Sequence, residues 1–175
     1  DRMVTRNLTK CRVGQVMYTP WCDGHGKVID DGTISHLSPN RYRLTSAEPN
    51  LRWLSMNAAG MDVSIEEVSE RLGALALQGP LSRTILEQVT PADLRGLKYF
   101  RLTETTIRDI PVTISRTGYT GDLGYEIWVA AEQAPELWDA LIEAGTSYGI
   151  TPAGIWALDM ARIEAGLVML DVDYH

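Results

Sequence analysis

The chain has 175 residues, 45% of them hydrophobic, which suits one good-sized domain or two small ones with a real core. Its formal net charge of −7 argues against a phosphate-backbone binder and against docking on an anionic membrane, so neither nucleic acid nor membrane is expected as a partner. No apolar run approaches the roughly 18 residues of a membrane-spanning helix, and the opening DRMVTRNLTK has no apolar signal-peptide core.

Val13 to Cys22 reads as a strand and Cys22-Asp23-Gly24-His25-Gly26 as a turn. Lys27 to Asp31 and Thr33 to Leu37 continue in β, Ser38-Pro39-Asn40 breaks the run, and Arg41 to Ser46 forms the next strand, giving an antiparallel meander. Asn50 is placed to cap a helix from Leu51 to Ala59, ended by Gly60. Val63 and Ile65 suggest a short strand. Leu72 to Gln78 is an apolar strand that breaks at Gly79-Pro80 into a helix from Leu81 to Val89, where Arg83 and Glu87 are spaced to pair. Thr103 to Ile107 and Val112 to Arg116 form a β pair, and Tyr125 to Val129 a further strand. Ala134, Leu137, Trp138, Leu141 and Ile142 mark a helix packed on the core, and a last helix runs from Ile155 to about Ala165. Strand clusters without regular βαβ alternation give an α+β fold.

Cys11 and Cys22 form neither a disulfide framework nor a zinc pattern, so a reducing cytoplasm is the default setting. His25, His36 and His175 are scattered, and no metal site is expected. The chain opens on Asp1 and stops at Asp173-Tyr174-His175, so it reads as an internal piece of a larger protein.

Four places stand out as candidates for chemistry. Tyr18 lies in the first strand, where packing alone explains an aromatic. Asp30 and Asp31 are adjacent in a strand, so their side chains face opposite ways and one carboxylate points inward. Gln78-Gly79-Pro80 makes a sharp strand-to-helix corner. The richest stretch is Ser115-Arg116-Thr117-Gly118-Tyr119-Thr120-Gly121-Asp122-Leu123-Gly124-Tyr125-Glu126, whose glycines permit positive φ or a close approach to a ligand. Its rings and carboxylate suit a flat, nitrogen-rich molecule, because a carboxylate accepts parallel N–H donors in short, directional bonds.

In order along the chain, the strings GQVMYTPWCDGHGKVIDD, ALALQGP, ISRTGYTGDLGYEIWV and PAGIWALDMARIEAG resemble the aminomethyltransferase family, that of the glycine cleavage T protein. The resemblance implies a ring of domains around a folate channel. Here it would comprise a ferredoxin-like antiparallel domain over residues 1–81, with about 161–175 returning to it. A second α+β domain over 82–160 would carry the folate signature, and an N-terminal part and a C-terminal barrel would be absent. It implies tetrahydrofolate as cofactor and a one-carbon donor as partner, with lipoylated H protein supplying an aminomethyl group and ammonia released. Residue by residue, Asp31 matches the catalytic aspartate, Glu126 the glutamate that holds the pterin, and Tyr119 and Tyr18 tyrosines of the folate site. Tyr99, beside Phe100, lies near a further aromatic position. Leu158 stands where the family has an arginine, so either the reaction partner differs or another residue such as Arg162, one turn later, compensates, and Asp122 stands where Glu is common. Leu158 favours the alternative of a folate-dependent demethylase or the folate domain of a sarcosine- or dimethylglycine-oxidising enzyme. A non-catalytic folate-binding relative is disfavoured, since the K-G-C-Y-x-G-Q string of that branch is missing.

Overall fold

The structure, a computed structural model, describes residues 2–174, so His175, one of the three scattered histidines, lies outside the described residues. Two compact units divide the chain: Asp1–Val68 with Met169–His175, and Ser69–Val168.

In the first unit β1 (Val16–Cys22), β2 (Val28–Ser38) and β3 (Arg41–Ser46) form the expected antiparallel meander. Gly32 keeps β2 continuous because β3 lies so close: a Cβ there would sit 1.8 Å from the Thr45 carbonyl oxygen. The register sets Trp21 opposite Asp30, both buried, while Tyr18 opposite Thr33 and Pro20 opposite Asp31 make Tyr18 and Asp31 diagonal neighbours on the other face. A short helix, α1 (Leu51–Asn57), follows. Asn50 precedes it but makes no side-chain cap bond, because its amide is turned onto Asp30. Val63 and Ile65 lie in irregular backbone, not in a strand.

In the second unit β4 (Leu72–Gln78), β5 (Leu102–Ile107), β6 (Ile110–Ser115) and β7 (Gly124–Ala130) form one antiparallel sheet in the order β4-β7-β6-β5. The helices are α2 (Ser82–Leu86), α3 (Ala134–Gly145) and α4 (Ile155–Glu164). Alternation along β7 buries Tyr125, Ile127 and Val129 in a core with Leu77, Leu86, Ile114, Leu137 and Leu141, and leaves Glu126 and Trp128 on the opposite face. Each such aliphatic side chain contributes roughly 1.5–3 kcal/mol by leaving water.

Further expectations change. The boundary falls after Val68, not residue 81, because β4 finds its pairing partner in β7, and α4 also belongs to the second unit. Trp138 is 42% exposed, since α3 turns Leu137, Ala140 and Leu141 into the core and carries the next position past the contact. The helix after the corner is only five residues long, and Glu87 meets Arg95 at 3.4 Å. No helix among the described residues is long and apolar enough to cross a membrane.

Candidate functional site

The adjacent acids of β2 have separate environments. Asp30 is buried, and its carboxylate accepts from the Asp31 backbone N–H at 2.7 Å, the Asn50 amide at 2.6 Å and the Glu48 N–H at 3.3 Å. Asn50 in turn accepts from the Trp21 indole N–H at 3.3 Å. Asp30 thus ties the sheet to the segment entering α1, a structural task. Asp31 is half-buried on the other face, where its Oδ2 accepts from the Tyr18 hydroxyl at 2.6 Å and the Tyr174 hydroxyl at 3.1 Å. Partial burial of the Tyr18 ring, then the hydrogen bond to Asp31 and its negative charge, push the Tyr18 phenol well above its ordinary range. The phenol therefore stays protonated and donates, and one Asp31 oxygen is held by two donors. The structure thus joins Tyr18 and Asp31, and adds Tyr174, which sequence reasoning missed. Tyr174 and Asp31 are separated by 143 in residue number, so no local pattern signals that contact.

In the second unit the Gly-rich stretch joins β6 to β7, and Gln78 at the end of β4 organises it. Its amide Nε2 donates to the carbonyls of Thr117 at 3.3 Å and Tyr125 at 3.2 Å, and its Oε1 accepts from the Thr120 hydroxyl at 3.3 Å. A Cβ at Gly118 or Gly124 would lie 2.0 or 1.8 Å from that oxygen, so these glycines make room for the Gln78 side chain. Gly121, with φ +78, is the one that needs the left-handed backbone. Glu126 accepts from the buried Thr117 hydroxyl, which lies 2.8 Å from the buried Ser115 hydroxyl. The Tyr119 hydroxyl donates to the Val168 carbonyl.

A cleft of about 380 Å³ opens against this loop, lined by Tyr99, Arg116, Gly118, Asp122, Leu123 and Leu167 among others. That volume lies in the range of small-molecule sites. Tyr99 is 63% exposed and packs edge-on against Phe100, with ring centroids 4.6 Å apart. Neither Glu126 nor Tyr119 lines this cleft: Glu126 points off its own sheet face, and Tyr119 is drawn to Val168. On α4, Leu158 is half-buried, and Arg162 is 1% exposed with its guanidinium on Asp159 at 2.7 Å and the Leu167 carbonyl at 3.1 Å. The Arg162 guanidinium is thus engaged by groups of its own unit. Among the described residues no cluster of His, Cys, Asp and Glu could hold a metal ion.

An aminomethyltransferase of Halothermothrix orenii is 39% identical over 99% of this chain and 49% of its own length. A trimethylamine-oxide aldolase of Ruegeria pomeroyi is also 39% identical, over 97% of this chain and 23% of its own length. The crystal structure of the glycine cleavage system aminomethyltransferase T from Bartonella henselae matches 95% of this chain and 45% of that one, with a TM-score of 0.79 at 26% identity. The chain spans about half the length of the aminomethyltransferases it matches. The GCVT N-terminal domain family matches residues 1–175, and the chain belongs to that family, the one that includes the glycine cleavage aminomethyltransferases.

Proposed function

We propose that the full-length protein transfers an aminomethyl group to tetrahydrofolate and releases ammonia, taking the group from lipoylated H protein. The observation that carries this reading is the Asp31 carboxylate held by Tyr18 and Tyr174 in a chain of the aminomethyltransferase family. The donor set fits a reduced folate. One oxygen of Glu126 is engaged by Thr117, and the other has no partner among the described residues, so it is available to pterin N–H donors. Tyr99 and Tyr119 supply ring faces on the same unit. Tetrahydrofolate, when bound, supplies the nitrogen that receives the carbon. Asp31 would serve as the proton acceptor of the reaction, with Tyr18 and Tyr174 keeping its carboxylate in one orientation. A reducing cytoplasm suits the thiols Cys11 and Cys22.

A second reading, transfer from an N-methyl compound, is favoured by Leu158, which has no charge to offer a carboxylate or folate. The test is folate-dependent ammonia release from aminomethylated H protein by the full-length protein. Release supports the first reading. No release, with folate-dependent demethylation of an N-methyl substrate, selects the second.

A further inference from the structure

We propose that Ser115 and Thr117 are positioning residues, a one-way pair of buried hydroxyls that decides which oxygen of Glu126 is offered to the ligand. This rests on the reading of Glu126 as the acceptor for pterin N–H groups. Proton direction follows from the acceptors. An ionised carboxylate only accepts, so the Thr117 hydroxyl donates to Glu126 Oε2. With its single proton committed, Thr117 accepts from Ser115, 2.8 Å away. Ser115 also lies 3.3 Å from the Glu126 carbonyl, but the shorter contact takes its proton. Ser115 and Glu126 face each other across the β6–β7 ladder, so the sheet register fixes the Ser115 end of the pair, and Thr117 follows at the start of the loop. At 2% and 4% exposure, Ser115 and Thr117 are shielded from water that would scramble this order. The arrangement engages Oε2 from the protein side and leaves Oε1, which has no partner among the described residues, as the oxygen that meets the ligand.

The experiment measures tetrahydrofolate affinity by calorimetry, and KM and kcat, for the full-length protein and its Thr117→Val, Thr117→Ser, Ser115→Ala and Glu126→Gln variants, with thermal midpoints alongside. Thr117→Val keeps the shape and removes the donor. Affinity is expected to fall about 10- to 150-fold, as for loss of one charge-assisted hydrogen bond, with KM for tetrahydrofolate rising far more than kcat falls. Thr117→Ser restores the hydroxyl and the affinity, and Ser115→Ala gives a smaller loss. Unchanged affinity in Thr117→Val, or no recovery in a Thr117→Ser variant with the parent's thermal midpoint, overturns the proposal. If Thr117→Val does not fold, Ser115→Ala decides, and parental affinity there overturns it. Weakened binding in Glu126→Gln with none in Thr117→Val defeats the hydroxyl pair alone. Unchanged binding in Glu126→Gln defeats the pterin assignment and the proposal with it.

Discussion

Two phenols on a single carboxylate oxygen fix the orientation of Asp31, the residue proposed to handle the proton. Asp31→Asn keeps the size and still accepts hydrogen bonds. Turnover is expected to fall about 10²- to 10⁴-fold with tetrahydrofolate affinity little changed, as read by single-turnover kinetics and calorimetry. Parental turnover would remove Asp31 from the chemistry. The Tyr18 phenol gives a second expectation. Its folded-state pKa is raised above the unfolded value near 10, so its contribution to stability is fully present below about pH 10 and is lost as pH rises towards the folded value. The gap in unfolding midpoint between the parent and Tyr18→Phe should therefore narrow above about pH 10, and a constant gap into strong alkali would count against the linkage. Sequence alone showed that one of Asp30 and Asp31 turns inward. Which one depends on the β1–β2 register beside the irregularity at Trp21/Cys22, and that register is a tertiary fact.

At the scale of elements, most strands were legible because alternation and turn residues are local signals, and β2, β3, β5 and β6 lie close to their expected places. The glycines of the loop were only half legible. Their number suggested unusual backbone, which holds for Gly121, whereas Gly118 and Gly124 answer to a glutamine some 40 residues earlier in the chain. A double-mutant cycle follows. Gln78→Ala removes three hydrogen bonds and should cost about 1–3 kcal/mol. Gly124→Ala should cost a similar amount by expelling Gln78. Together they should cost less than their sum, with a coupling on the order of 1 kcal/mol, because the methyl then enters vacated space. Strict additivity in denaturant titrations would show that Gln78 and Gly124 do not compete.

For the whole molecule, order along the chain misled the division into units. β4 follows the first unit in sequence and pairs with β7 in the second, and the strands that decide membership are separated by α2, β5 and β6. Between α1 and Ser69 the backbone is largely irregular, and Gly60, Asp62, Val63 and Ser64 are exposed. Limited proteolysis of the full-length protein should cut first in this stretch, with the site read by mass spectrometry. A first cut inside the loop from Thr117 to Leu123 would contradict the picture of a loop secured by Gln78.

Gln78 also sets an order of events. Its bonds to the loop reach across 39 to 47 residues, so they close only after β4 has found β7. Such contacts are expected to form late on the folding route, past the rate-limiting step. Gln78→Ala should then speed unfolding and leave the refolding rate nearly unchanged in stopped-flow measurements, whereas slowed refolding would place the loop among the first parts to form. A glutamine that acts mainly on the escape rate makes the loop's shape a matter of lifetime: once closed, it is held closed for as long as the sheet beneath it survives.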